Sequence, residues 1–140
     1  MIRAVVVAFL LVLAVCADSA SAQGLQARAD EIRAAMDARD FERAEQLVRA
    51  LRSTDPQGFT RNNYDYLLAR LAERRGAGAE AAALYLGVLN RNSILAQYAL
   101  RRLAFIAQSA GDLALERQYL TRLVSTYPSS VLVSTARDRL

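Results

Sequence analysis

A helix-breaking turn returns along this chain at a nearly constant interval. The turns MDARDFERA, ERRGAGAEA and QSAGDLALE place Arg39, Gly76 and Gly111 at equivalent positions, 37 and then 35 residues apart. Pro56 and Pro128 each follow 17 residues after such a position, and NRNSI occupies that place in the middle unit. An interval of this length is typical of stacked helical units, each of which buries its apolar face only against a neighbour.

The segments between these turns carry apolar residues at the three- and four-residue spacing of a helix. Six such segments run through Ile32 to Met36, Phe41 to Leu51, Tyr64 to Leu71, Ala81 to Leu89, Leu100 to Ile106 and Leu115 to Val124. Alanine, leucine, arginine and glutamate favour helices and dominate the composition, which includes only two prolines. The sequence therefore predicts an all-α fold of six amphipathic helices and the beginning of a seventh.

The predicted helix starts carry suitable side chains. Asp40 and Asp112 can each accept a hydrogen bond from the free N–H groups that open a helix. Asn62 followed by Asp65 resembles a capping box at the start of the third helix. These residues predict where three of the helices begin.

The first 22 residues have the organisation of a secretory signal peptide. Arg3 precedes the apolar run AVVVAFLLVLAV, which is shorter than the roughly 20 residues that a membrane-spanning helix needs. The sequence ASA before Gln23 fits the small-residue cleavage rule. We therefore expect an exported protein of the bacterial periplasm, with a signal peptide over 1–22, one helical domain over 23–140 and no transmembrane segment in the mature chain.

Cys16 stands at the end of the apolar run, where a bacterial lipoprotein carries its lipidated cysteine. Lipidation normally requires Gly, Ala or Ser before that cysteine, and here the residue is the β-branched Val15. We therefore predict that Cys16 is removed with the leader rather than lipidated. The exported chain then has no cysteine, so its stability in an oxidising compartment comes from packing alone.

The residue types of the mature chain exclude most catalytic and metal sites. Without histidine or cysteine, the usual metal clusters and imidazole-based triads cannot form. Pairs of carboxylates lie among arginines, where solvated ion pairs and helix caps account for them. These pairs are Asp30 with Glu31, Asp37 with Asp40, and Glu42 with Glu45. The segment Gly76–Gly78 lacks the Lys-Ser or Lys-Thr continuation of a phosphate loop. No catalytic residue, metal site or cofactor is predicted.

The net charge is mildly basic, because 18 arginines face 14 acidic residues. The arginines are spread along the chain rather than grouped in a block, so no nucleic-acid partner is predicted. A mild attraction to anionic polymers or lipid headgroups stays open.

The residues at equivalent places of the units match a known pattern. The small residues of the helices and the closing prolines recur at Ala44, Ala69, Ala81, Ala104, Pro56 and Pro128. This pattern is similar to the tetratricopeptide repeat. Glu116 departs from it, since a small residue is expected there. The resemblance implies an α-solenoid of about three tetratricopeptide-like helix-turn-helix pairs plus the start of a further helix.

Several phrases resemble a narrower family, the soluble lytic murein transglycosylases, in the helical repeat region that precedes their catalytic domain. The phrases are NYDYLLARLAERRG, AAALYLGVLNRNSILAQYALRRLAFIAQSAGDL and LVSTYPSS. The resemblance implies a non-enzymatic binding or scaffold role in cell-wall turnover, with a peptidoglycan strand as ligand. Catalysis in that family comes from a lysozyme-like domain with a glutamic acid as proton donor. Nothing here matches that domain, so we expect an enzyme only if the gene continues past Leu140.

The same helical pattern occurs in periplasmic proteins that assist outer-membrane assembly or belong to the Tol-Pal system. A protein-protein interaction adaptor in envelope assembly is therefore the alternative, with a periplasmic protein as partner. A partner subunit or a missing C-terminal domain is also expected to cover the apolar residues of the last segment, which are Val131, Leu132, Val133, Ala136 and Leu140.

In a stack of helix pairs, the first helix of each pair lines the concave side. The candidate binding residues on that side are Arg33, Tyr66, Arg70, Tyr98, Arg101, Arg102 and Phe105. Aromatic faces beside guanidinium groups can bind a sugar ring, a peptide carboxylate or an extended partner chain. The competing interpretation is that tyrosines fill gaps between pairs, as expected of Tyr64 and Tyr85, and that the arginines are solvated.

Overall fold

The computed structural model describes Gly24 and residues 26–140. All regular structure in that part of the chain is helical, which confirms the predicted all-α class. The predicted signal peptide over 1–22, its cleavage and Cys16 lie outside the described residues. Among the residues that are described, no helix is long and apolar enough to cross a membrane.

The helices follow one another with short connections. Helical residues 26–37 form α1, and the later helices are α2 (Phe41–Thr54), α3 (Pro56–Arg61), α4 (Tyr64–Arg74), α5 (Gly78–Asn90), α6 (Ala96–Ser109), α7 (Leu113–Thr126) and α8 (Val133–Arg139). The chain divides into two compact units, the first ending at Thr54 and the second covering Asp55–Leu140. The single domain predicted over 23–140 stays a prediction.

In the first unit, α1 and α2 each bury one apolar side. The buried side chains are Ile32, Ala35, Ala44, Val48 and Leu51. At the ends of these helices, Nη1 of Arg28 donates a hydrogen bond of 2.6 Å to Oγ1 of Thr54. The unit is thus a helix pair with a small apolar interior.

In the second unit, each helix from α3 to α8 packs against the next one along the chain. Tyr85, Leu100, Leu103 and Leu123 are among its fully buried large side chains. Buried alanines on α4, α5 and α6 let the helices approach closely, and these are Ala69, Ala72, Ala81, Ala96, Ala99 and Ala104. The helices thus pack as adjacent neighbours around one apolar core.

The three equivalent turns share one backbone geometry. Arg39, Gly76 and Gly111 have positive φ angles of 58°, 81° and 78°. In each turn, the N–H of that residue donates to the carbonyl three residues earlier, and the next N–H donates to the carbonyl five residues earlier. This is the Schellman ending of a helix, which favours glycine. At Arg39 the left-handed backbone costs roughly 1 kcal/mol relative to glycine.

Two of the predicted helix starts are confirmed and one is not. Asp40 accepts a hydrogen bond of 3.0 Å from the N–H of Arg43, and Asp112 accepts one of 2.9 Å from the N–H of Leu115. Asn62 instead ends α3, because its Nδ2 donates to the carbonyl of Gly58. The predicted capping box is therefore wrong.

The physical reason lies in α3, a helix that was not predicted from the sequence. Pro56 was expected only to close the first helical unit. Proline also suits the first turn of a helix, and Pro56 is the first residue of α3. Asp55 caps that helix by accepting a hydrogen bond of 2.8 Å from the N–H of Gly58. The six residues after Asp55 become helical, and α4 begins after Asn63, which is left-handed and makes no side-chain cap.

The last segment covers only part of its own apolar surface. Val133 and Ala136 are buried where α8 packs on α7. Val131 is 82% exposed, and Leu140 is also exposed. The expected covering partner or domain stays a prediction.

Candidate binding groove

The seven candidate binding residues divide between the two units. Arg33 lies on α1 of the first unit, where its exposed guanidinium pairs with Asp30 at 3.1 Å. The other six lie on α4 and α6 of the second unit. Their surroundings differ sharply.

Tyr66 is engaged in packing. Its ring lies edge-on to the ring of Tyr85, with 5.4 Å between the ring centroids. Tyr85 is fully buried in the core, as expected of a tyrosine that fills a gap between helices. Tyr64 lies against Phe59, with 6.5 Å between their ring centroids. One face of Tyr66 is therefore already in use, which limits what it can offer to a ligand.

Arg102 is held in a partly buried ion pair with Glu73 of α4. Its Nη2 lies 2.6 Å from Oε1 and its Nε lies 2.9 Å from Oε2 of Glu73. The Tyr85 hydroxyl also donates a hydrogen bond of 2.6 Å to the same carboxylate. Nε of Arg70 approaches Glu73 less closely, at 3.9 Å.

This cluster shifts the pKa of two groups in ways that follow from its geometry. Burial raises the pKa of the Tyr85 phenol, and the hydrogen bond to Glu73 and its negative charge raise it further. Burial lowers the pKa of Arg102, but the hydrogen bonds and charge of Glu73 outweigh that effect, so the pKa is raised. The cluster joins α4, α5 and α6 through one carboxylate.

No role was predicted for Glu73, although its position in the sequence indicates one. It follows the buried Ala69 by four residues, and residues four apart lie on one face of a helix. Its side chain is only 10% exposed. An acidic residue on the apolar face of a predicted helix therefore indicates a partner on a neighbouring helix.

Arg101 has different surroundings from Arg102, although they are adjacent. Within the part of the chain that the structure describes, Arg101 is exposed and makes no ion pair. Phe105 lies one helical turn later and is 51% exposed. The guanidinium of Arg102 sits 5.0 Å from the Phe105 ring centroid. Tyr98 is likewise exposed at the surface of α6.

Arg101 and Phe105 line a groove between α6, α7 and α8. The groove has a volume of about 200 Å³ and is lined by Arg101, Ala104, Phe105, Gln108, Glu116, Leu120, Leu123, Leu132, Thr135, Ala136 and Arg139. Most of these side chains are apolar, and the leucines and alanines among them are largely buried. The candidate residues that meet at this groove are therefore Arg101 and Phe105.

Glu116 lies in the wall of this groove and has a partner on α8. Its side chain is 8% exposed, and Nε of Arg139 lies 2.7 Å from its Oε1. A second hydrogen bond of 3.2 Å joins Nη2 of Arg139 to Oε2. The hydrogen bonds and charge of Glu116 raise the pKa of Arg139. The residue that departs from the tetratricopeptide pattern is thus one half of the ion pair between α7 and α8.

The dimensions of the groove restrict what can enter it. A buried apolar cavity of about 150 Å³ is large enough for benzene, whereas pockets for drug-sized ligands measure about 300–1,000 Å³. The volume of this groove therefore suits one large apolar side chain. The guanidinium of Arg101 adds a donor for a carboxylate beside that position.

Among the described residues, no three acidic, histidine or cysteine side chains come together in a way that could hold a metal ion. Arg117 and Arg122 lie on the exposed side of α7, outside the groove.

Neither a known protein family nor a curated protein matches the sequence.

Proposed function

We propose that this chain is a non-enzymatic binding module, built as a tetratricopeptide-like α-solenoid and exported to the bacterial periplasm. The apolar leader with ASA before Gln23 supports export. The spacing of Arg39, Gly76 and Gly111, together with their shared hydrogen-bond pattern, supports the helical repeat. Fractionation of cells by osmotic shock tests export, and recovery of the protein only in the cytoplasm would contradict it.

One observation carries the binding role. Arg101 offers an unpaired guanidinium, as far as the described residues go, at the edge of an apolar groove that also exposes Phe105. An exposed ring and a free donor at a concave site are the usual elements of ligand recognition. By contrast, Arg102 is already bound to Glu73 and is a support for the site.

The context that we propose is cell-wall turnover, as the helical region of a lytic transglycosylase. The phrases that resemble that family include NRNSILAQYALRRLAF, which contains Arg101 and Phe105. Peptidoglycan offers carboxylates on its peptides, and Arg101 suits such a group. The ligand under this proposal is a peptidoglycan strand.

Sedimentation with purified peptidoglycan sacculi tests this role. We expect the wild-type protein to co-sediment and Arg101→Gln to co-sediment less. Arg117→Gln, at another exposed arginine that lies outside the groove, should sediment like the wild type. Chromatography of the supernatant should find no released muropeptides. Release of muropeptides would contradict the non-enzymatic role, and absence of co-sedimentation would contradict the cell-wall ligand.

A protein-interaction adaptor in envelope assembly is the second candidate, and the apolar lining of the groove favours it. Sugar rings carry hydroxyl groups, which lose hydrogen bonds to water in an apolar site. A pull-down from an envelope extract, with Arg101→Gln as the comparison, tests this candidate. A protein retained by the wild type and lost with Arg101→Gln would support it, whereas equal recovery would contradict it.

A further inference from the structure

We infer that the groove between α6, α7 and α8 binds an extended protein segment, taking one large apolar side chain inside while Arg101 binds a carboxylate of the same segment. The inference rests on the proposed binding role and develops its second candidate, in which the ligand is a protein. The segment has an aromatic or aliphatic side chain near an aspartate or glutamate.

Charge complementarity selects an acidic partner. Residues 96–140, which contain the three helices of the groove, carry six arginines against three acidic residues, a net charge of +3. Glu116 is the acidic residue that lines the groove, and Arg139 neutralises it through two hydrogen bonds. The charge of Arg101 is left unneutralised at this site. An anionic group is therefore attracted to it, and a cationic group is repelled.

The spacing along α6 matches that of an extended chain. Arg101 and Phe105 are four residues apart, so their Cβ atoms lie about 6 Å from each other. Side chains two residues apart on an extended peptide point the same way and are separated by about 7 Å. An apolar residue and an acidic residue in an i, i+2 arrangement therefore reach the groove and Arg101 together.

The probes are three capped pentapeptides, titrated into the whole chain and followed by NMR chemical shifts. The first is acetyl-Gly-Phe-Gly-Asp-Gly-amide. The second has Asn in place of Asp, and the third has Ala in place of Phe. We expect the first to bind about tenfold more tightly than either of the others, because each lacks one of the two interactions. Shifts are expected at α6, α7 and α8.

The variants separate the two interactions. Arg101→Gln should weaken binding of the Asp peptide to the level of the Asn peptide and leave the Asn peptide unchanged. Arg117→Gln should change neither. Thr135→Phe, at an exposed position in the groove wall, should fill the groove and weaken both peptides. Circular dichroism verifies that each variant keeps its helices.

A charge reversal makes the test independent of any loss of fold. Arg101→Glu should prefer acetyl-Gly-Phe-Gly-Lys-Gly-amide over the Asp peptide, which reverses the wild-type order. Equal effects of Arg101→Gln on the Asp and Asn peptides would overturn the inference. If the wild type binds none of the three peptides but still co-sediments with sacculi, and Arg101→Gln co-sediments less, the inference fails while the proposed binding role stands. Failure of the wild type to bind sacculi, envelope proteins or peptides overturns both.

Discussion

The guanidinium of Arg102 on α6 holds the carboxylate of Glu73 on α4 in a two-pronged ion pair, with 2.6 Å between Nη2 and Oε1. The hydroxyl of Tyr85 on α5 shares that carboxylate. One acidic side chain therefore joins three consecutive helices. Arg102 is engaged in this ion pair. Of the two adjacent arginines, Arg101 is therefore the one whose guanidinium is available to a ligand.

Removal of Glu73 should be costly for stability. Glu73→Ala leaves the buried Tyr85 hydroxyl and the partly buried Arg102 without their acceptor, which should lower the free energy of unfolding by about 3 kcal/mol. Glu73→Gln keeps an acceptor oxygen and should cost less. Urea unfolding followed by circular dichroism measures both. Asp138→Asn, at an exposed carboxylate on α8, is the control and should stay within about 0.5 kcal/mol of the wild type; equal losses in all three would refute this role.

Tyr85 should make the fold sensitive to alkaline pH. Its pKa in the folded chain is raised by burial and by Glu73, whereas a phenol in the unfolded chain has an ordinary pKa of about 10. Above that pH the unfolded state loses a proton that the folded state keeps. Below a pH of about 10, Tyr85 should leave the free energy of unfolding unchanged. Above that pH, the free energy of unfolding should fall by up to about 1.4 kcal/mol per pH unit.

Urea unfolding at a series of alkaline pH values measures this slope. Tyr85→Phe should reduce the slope, because no phenol at that position can ionise. Tyr98→Phe is the matched control. The Tyr98 ring is exposed, so loss of its hydroxyl should leave the slope unchanged. A slope that is unchanged in Tyr85→Phe would show that Tyr85 does not cause the alkaline sensitivity.

The features that the sequence predicted well are local ones. The caps at Asp40 and Asp112 and the turns at Gly76 and Gly111 depend on residues within one helical turn, so their pattern is readable along the chain. The helix that begins at Pro56 was missed because proline both ends one helix and starts the next. Asn62 was assigned to the start of the next helix because α3, the helix that it ends, had not been predicted.

The candidate site was less predictable because its contacts are between distant residues. Glu73 meets Arg102 across 29 residues, and Glu116 meets Arg139 across 23. Arg101 and Arg102 are adjacent, yet one turn of a helix takes only 3.6 residues, so neighbours point about 100° apart. Packing decides which of the two faces a partner, and packing is not readable from spacing alone.

Two glycines should respond to alanine in opposite directions. Gly111 has a φ angle of 78°, where alanine is strained, so Gly111→Ala should lower the free energy of unfolding by roughly 1 kcal/mol. Gly87 lies inside α5 with open space around its missing side chain, so Gly87→Ala should raise it by about 0.5–1 kcal/mol. Both glycines lie in the second unit, so one urea unfolding assay compares them, and a change of the same sign in both would contradict the prediction.

The ion pair between Glu116 and Arg139 should be asymmetric toward mutation. Arg139→Gln leaves the buried carboxylate of Glu116 without its cation and should lower the melting temperature and the hydrogen-exchange protection of α8. Glu116→Met removes the buried charge, fills a similar volume and leaves Arg139, which is half exposed, in contact with water. Glu116→Met should therefore melt close to the wild type or above it. Thermal unfolding followed by circular dichroism ranks the variants, with Arg137→Gln as the control for loss of an exposed arginine on the same helix. If Glu116→Met melts below Arg139→Gln, the carboxylate has a stabilising role beyond this pair.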